Sequence, residues 1–207
     1  MISILPHVDQ APLYNQYNFS EVAHSVQPTA TTNNNTLVTK TTVLPWINCP
    51  SHPQVVNRLT QDFDGFIKVT YDADVGAGRM LRRADFTNSS LRGPFSVVEQ
   101  YGAGFRDITD GQSNEVPVSE IVKVDSTGDD RGAWGWCTRP TFSGAGNNGG
   151  ALVPNSKQLI DSSPYSRNDT TYVSFNFRSN PDSGNNSGVA ARSFHVGGVQ
   201  AVLGDGS

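Results

Sequence analysis

Thr171-Tyr172-Val173-Ser174-Phe175-Asn176-Phe177-Arg178 alternates strictly along its length, with Val173, Phe175 and Phe177 at one parity and Ser174, Asn176 and Arg178 at the other. A period of two puts successive side chains on opposite faces, which is the pattern of a strand with one buried face. Working outward, residues 66–71 (Phe-Ile-Lys-Val-Thr-Tyr), 37–44, 116–124 and 199–203 carry the same β-branched, alternating pattern, and 95–98 a weaker form of it. Pro117 within one of these runs points to an edge position, because proline donates no ladder hydrogen bond.

Helical signal is scarce. Residues 9–17 read as one or two helical turns, with Pro12 in the first turn and Leu13 and Tyr17 on one face. The apolar run 2–5 stops at Pro6. Residues 26–35, 138–163 and 180–188 are Asn-, Ser-, Thr- or Gly-rich loops, and 45–53 is a proline-punctuated turn. With no internal repeat and no linker, the expectation is a single domain over 1–207. Its expected class is β-dominated α+β, with an antiparallel sheet, long loops and one or two short helices.

Composition agrees and narrows the function. The 207 residues include 17 Asn, 21 Ser, 16 Thr, 20 Gly and 12 Pro, so turn-formers and short hydrogen-bonding side chains replace the usual charged and apolar ones. Fifteen basic against 19 acidic residues give no electrostatic reason to bind nucleic acid. No stretch has the length and apolarity of a membrane span, and residues 1–6 lack the regions of a signal peptide. Cys49 and Cys137 are too few for a disulfide scaffold and too few for a zinc cage; one bridge and two inert thiols both remain open.

Several groups of residues invite chemistry. Ser193, His195 and Asp205 are the residue types of a hydrolase triad, but no Gly-x-Ser-x-Gly elbow accompanies them. Gly76-Ala77-Gly78 and Gly102-Ala103-Gly104 are read as turns, since neither lies between a strong strand and a helix as a phosphate loop must. Asp72 and Asp74, with Asp125, Asp129 and Asp130, offer oxygens to Ca²⁺ without the spacing of a calcium loop; solvated turn aspartates are the preferred reading. Trp134 and Trp136 share a face of an extended segment, where they either stack on a sugar or pack on the core, and packing is preferred.

Four motif blocks, taken together, resemble the prepilin-type, processing-associated family expanded in planctomycetes and their relatives. The C-terminal block is Arg192-Ser193-Phe194-His195-Val196-Gly197-Gly198-Val199 followed by Leu203-Gly204-Asp205-Gly206-Ser207, a His-x9-Asp-Gly spacing. Asp107-Ile108-Thr109-Asp110-Gly111-Gln112-Ser113-Asn114 with Glu120, Cys49-Pro50-Ser51, and Leu5-Pro6 with Leu13-Tyr14-Asn15 match in order and spacing. His52 stands where the family has Asp, Val196 where it has Pro, and no cysteine-rich stretch precedes the last block.

The resemblance implies an exported, non-enzymatic, pilin-like or pseudopilin-like head, extracytoplasmic and anchored by an N-terminal membrane helix. This chain would then be a fragment lacking that helix and a last strand. Self-association or contact with a secretion or pilus machinery would run through the helix. A carbohydrate- or solute-binding module is the rival, resting on Trp46, Trp134, Trp136 and the family's older solute-binding label, with polysaccharide as the partner. A viral jelly roll explains only residues 42–46. The motif residues themselves read as architectural, Asp107, Asp110, Ser113 and Asn114 bonding nearby backbone, Gly111 taking positive φ, and Gly197-Gly198 and Gly204-Asp205-Gly206 making turns around strand 199–203. No cofactor is expected.

Overall fold

The computed structural model describes residues 1–21, 34–53, 58–59, 66–77, 83–96, 98–123, 131–135, 141–142, 154–155, 161–163, 177–179 and 189–207. In chain order its elements are α1 (Ala11–Tyr14), α2 (Asn34–Thr41), β1 (Arg58–Leu59), β2 (Phe66–Ile67), β3 (Tyr71–Asp74), α3 (Arg83–Thr87), β4 (Val118–Glu120), β5 (Thr141–Phe142), β6 (Asp161–Ser163), β7 (Phe177–Ser179) and β8 (Ala201–Val202). Short 3-10 helices cover Ile2–Val8, Pro45–Ile47, Val98–Gln100, Phe105–Asp107 and Gln112–Asn114. Helical segments among the described residues therefore exceed the one or two expected. Each is short, because the turn-forming residues that abound here close single helical turns as readily as loops.

The central sheet has the order β5-β3-β4-β8. β3 pairs antiparallel with β4, placing Tyr71 opposite Glu120, and β4 pairs antiparallel with β8, placing Ser119 opposite Ala201. β5 runs parallel to β3, with Ala73 opposite Thr141, so the sheet is mixed and not purely antiparallel as expected. Parallel neighbours need a long crossover, and here the chain passes through β4 before returning to the free edge of β3. Two small ladders, β1 with β2 and β6 parallel with β7, lie outside this sheet.

The run 66–71 supplies β2, an isolated bridge from Lys68 to Ala133, and the first residue of β3. The run 116–124 narrows to β4, although Ile121 and Val122 beyond it are also buried. The run 199–203 becomes β8 between its glycine turns. Of 171–178, only 177 and 178 lie among the described residues, in β7. Residues 95–98 form a single bridge, Phe95 to Gly102, and then enter a 3-10 turn.

The clear correction is at 37–44, expected as a strand and found largely as helix α2. Asn35, Val38 and Thr39 are buried, a spacing of three and four that faces the core only on a helix. The threonines lose their usual objection to helix by donating backwards, Thr39 Oγ1 to the Asn35 carbonyl at 2.9 Å and Thr41 Oγ1 to the Leu37 carbonyl at 2.8 Å. The Asn35 amide then ties the helix to Asn18, accepting its N–H at 2.7 Å and donating to its carbonyl at 2.8 Å. Intrinsic preference is worth only about 0.7 kcal/mol or less per residue, so these tertiary bonds and the buried face prevail.

The main core comprises Leu5, Leu13, Val38, Leu44, Ile47, Ile67, Val69 and Trp134. The N-terminal segments and α2 thus pack against β2 and the strand that continues from it. A second cluster of Val75, Ile121 and Val189 lies nearby. Among the described residues, no helix is long and apolar enough to cross a membrane.

Candidate functional site

Three chain segments build the site. The first is the proline-punctuated turn at 45–53. Pro45 starts the 3-10 turn Pro45–Ile47, Ile47 drops into the core, and the Ile47 carbonyl accepts the Thr70 N–H at 3.2 Å. Thr70 Oγ1 in turn accepts the Cys49 N–H at 2.6 Å, so the turn is fastened to the start of β3. The His52 N–H closes it on the Cys49 carbonyl at 3.1 Å. Cys49 is a buried free thiol.

The second segment is β4, which ends at Glu120. The third, residues 192–200, folds over that glutamate and binds it on every side. Arg192 N–H donates to the Glu120 carbonyl at 2.9 Å, and Glu120 N–H donates to the Gln200 carbonyl at 3.0 Å. Gln200 N–H donates to Glu120 Oε2 at 2.8 Å. This leaves Oε1 facing His195 Nε2 at 3.2 Å. The loop that carries His195 is fixed by Ser193, whose hydroxyl donates to the Gly198 carbonyl at 2.5 Å and accepts the His195 N–H at 3.1 Å.

His195 Nε2 also lies 3.2 Å from Cys49 Sγ. One thiol, one imidazole nitrogen and one carboxylate oxygen therefore stand within 4.8 Å of one another, from positions far apart in the chain. Cys49 and Glu120 are buried, and the His195 side chain is 28% exposed. A nucleophilic relay would need the thiol on one ring nitrogen and the carboxylate on the other. Here both approach the same nitrogen. Burial, and then the Glu120 carboxylate, also push the Cys49 thiol above its ordinary pKa, away from the thiolate a nucleophile requires.

Around this group the chemistry is buried and polar. Tyr71, opposite Glu120, donates its hydroxyl to Gln200 Oε1 at 2.8 Å; burial and then Glu120 push its pKa up to about 12. His52 places Nδ1 2.9 Å from the Pro53 carbonyl and packs edge-on to Phe194, with ring centroids 5.1 Å apart. Among the described residues its Nε2 is buried with no hydrogen-bond partner, and burial lowers its pKa. Lys123 donates to Asn48 Oδ1 at 3.0 Å, and burial followed by repulsion from Lys68 brings its pKa to about 8.

The remaining motif residues take the following places in the fold. Leu5 and Leu13 are core, Pro6 lies inside the first 3-10 helix, Tyr14 packs against the core, Asn15 caps α1 and Pro50 is exposed in its turn. Asp107 Oδ2 accepts the Gly104 N–H at 2.8 Å, and Asn114 Nδ2 donates to the Asp110 carbonyl at 2.7 Å. Gly111 adopts φ +100°, which a side chain disfavours. Gly197 and Gly206 also have positive φ, and Gly198 accepts the Ser193 bond. Asp205 is held by Ser113 and Ser207, so it does not orient His195 and no Ser193–His195–Asp205 triad assembles.

Two other sequence readings meet the structure here. Trp134 is 1% exposed within the main core, so its indole presents no face to a sugar; Trp136 lies outside the described residues. Asp72 and Asp74 are buried on β3 and are not solvated turn residues, Asp74 accepting the Gly76 N–H at 2.7 Å. Asp125, Asp129, Asp130 and Cys137 lie outside the described residues. Sequence reasoning named Cys49, Glu120 and His195 separately and missed their meeting. The one available signal was that each belongs to a different motif block of the same family resemblance.

No curated protein and no solved structure matches the chain. Over residues 1–207 it matches a family model described as a protein of unknown function, DUF1559, whose short label is of the older solute-binding kind, and the chain belongs to that family.

Proposed function

We propose that the protein is a non-enzymatic structural component displayed outside the cytoplasm, a pilin-like or pseudopilin-like head that works by self-association or by docking to a secretion or pilus machinery. The observation that carries this reading is how the C-terminal motif is used. Residues 192–200 bond Glu120 through its N–H, its carbonyl and its carboxylate, and Ser113 bonds Asp205, so the motif residues hold the sheet together. Ser193 and Asp205 bond backbone and neighbouring hydroxyls in place of forming a catalytic relay.

The carbohydrate-binding alternative loses Trp134 to the core, and Trp46, 40% exposed, is its remaining described aromatic. The test is made on the full-length gene product in its own cell. Membrane and surface fractions are probed with antibody to the head, the mature N-terminus is sequenced, and in-cell crosslinking reports neighbours. Recovery at the membrane or surface with ladders of crosslinked copies or with secretion components is expected. Recovery of an unprocessed, uncrosslinked protein from the cytoplasm would overturn the proposal.

A further inference from the structure

We propose that Cys49, Glu120 and His195 form a three-ligand site for a zinc-type divalent cation, which staples the 45–53 turn, β4 and the 192–200 loop together. This inference is independent of whether the head joins a filament. The geometry comes first. With zinc bonds of about 2.3 Å to sulfur and about 2.0–2.1 Å to nitrogen and oxygen, a tetrahedron has edges of roughly 3.6 Å (S to N) and roughly 3.3 Å (N to O). The observed separations are 3.2 Å for Cys49 Sγ to His195 Nε2 and 3.2 Å for His195 Nε2 to Glu120 Oε1. These two edges lie within a few tenths of an ångström of the tetrahedral values, and the third, Cys49 Sγ to the Glu120 oxygen, is within 4.8 Å.

Without an ion, hydrogen bonds from the Cys49 thiol and from the imidazole can both converge on the Glu120 carboxylate. One imidazole nitrogen faces both a thiol and a carboxylate, and a single Nε2–H can be aimed well at only one of them. Three lone-pair donors converging on one point is what a cation requires. The donor types select the cation: one sulfur, one nitrogen and one oxygen suit zinc, whereas calcium and magnesium demand oxygen shells.

The supporting contacts are those of a built site. Gln200 N–H fixes Glu120 Oε2 and so turns Oε1 toward His195, Thr70 Oγ1 holds the Cys49 backbone, and Ser193 holds the His195 backbone. Such outer contacts orient ligands and contribute strongly to metal affinity. Three protein ligands leave a fourth position, and the partial exposure of His195 gives water a route to it.

The experiment uses the 207-residue chain without a histidine tag, stripped with chelator and titrated with Zn²⁺ and Co²⁺ alone. One equivalent of Zn²⁺ should bind by mass spectrometry of the native protein and raise the thermal midpoint. Co²⁺ should give a thiolate charge-transfer band and the intense visible bands of a four-coordinate site, retained in Cys137→Ser and lost in Cys49→Ser. Alkylation of Cys49, read by peptide mapping, should slow at least tenfold with Zn²⁺. His195→Gln and Glu120→Gln, checked for folding by circular dichroism, should weaken binding at least tenfold. If a variant fails to fold, the cobalt spectrum and the alkylation of the unaltered chain still decide. Absence of metal uptake by the folded chain, or a cobalt band that survives Cys49→Ser, would overturn the site.

Discussion

Ser113 Oγ donates to Asp205 Oδ2 at 2.7 Å across 92 residues of sequence, joining the Asp-Gly-Gln-Ser-Asn turn to the C-terminal Asp-Gly-Ser turn. A second bond, Gly204 N–H to the Glu115 carbonyl at 3.0 Å, runs beside it. Asp205 also accepts the Ser207 N–H and hydroxyl, and these bonds with Ser113 hold its pKa down at about 2. Ser113→Ala and Asp205→Asn should each lower the thermal midpoint by a few degrees, and the double variant by less than their sum, because they remove one shared contact. A depressed carboxylate contributes stability above its unfolded pKa near 4 and loses it as pH falls through about 2. The coupling should therefore be full at neutral pH and fade in that acid window. Strict additivity in calorimetry at pH 7 would show that the bond contributes nothing.

Asp74 should make stability fall as pH rises. Burial, opposed by its bond from Gly76 and reinforced by Glu115, raises its pKa to about 7, against an unfolded value near 4. Between those values the folded chain holds a proton that the unfolded chain releases. The stabilisation is thus fully present below about pH 4 and is lost as pH climbs through about 7, with an upper bound on the order of 4 kcal/mol. Burial holds Asp72 on the same strand well above the ordinary carboxylate range too, so it adds to the slope. Urea midpoints at pH 5, 6, 7 and 8 should decline in the native chain and decline less in Asp74→Asn, whose amide oxygen still accepts the Gly76 N–H. Equal slopes in the two proteins would refute the assignment.

Gly76 and Gly197 share a φ of +92° in quite different surroundings. A Cβ on Gly76 would lie 2.2 Å from the Gly93 nitrogen and 2.3 Å from the Leu91 carbonyl oxygen, both backbone atoms that have no rotamer to change. A Cβ on Gly197 would meet nothing within 4 Å. Gly197→Ala should cost only the left-handed conformation, about 1–2 kcal/mol. Gly76→Ala adds the steric collision and should cost roughly 3–5 kcal/mol, enough to unfold a marginal domain. Comparable denaturation midpoints for the two variants would mean that the chains do not cross so closely.

What could be read beforehand follows the range of the interaction. Runs 66–71, 116–124 and 199–203 yielded strand because alternation is local, and Gly198 and Gly204 mark the limits of the last. Run 37–44 misled, since Val38, Thr39, Thr41 and Val43 carry strand preference while the Asn35 bonds to Asn18 and the buried Val38 and Thr39 decide for helix. The turn roles of Asp107, Gly111 and Asn114 were legible for the same local reason. The Cys49–His195 contact spans 146 residues, and no periodicity within either segment encodes it. Only the strand pairing that sets Tyr71 opposite Glu120, and the return of residues 192–200 over β4, bring it about.

His195→Ala tests whether that contact holds the head together. The imidazole meets both the Cys49 thiol and the Glu120 carboxylate, so removing it deletes one of the links between the 45–53 turn and the C-terminal loop while leaving the His52–Phe194 ring contact and the Glu120–Gln200 bonds in place. In chelator, where any ion is absent, the loss should be that of one or two partly exposed hydrogen bonds, roughly 1–3 kcal/mol in urea denaturation. His195→Gln should recover part of it, since the carboxamide can donate to Glu120 but presents no aromatic edge to the thiol. Alkylation separates this role from a general loosening of the fold. Cys49 should react faster in His195→Ala than in the native chain under conditions where circular dichroism reports both as fully folded. A variant that melted with the native chain, and whose Cys49 reacted at the native rate, would show the imidazole to be a bystander at the sheet's edge.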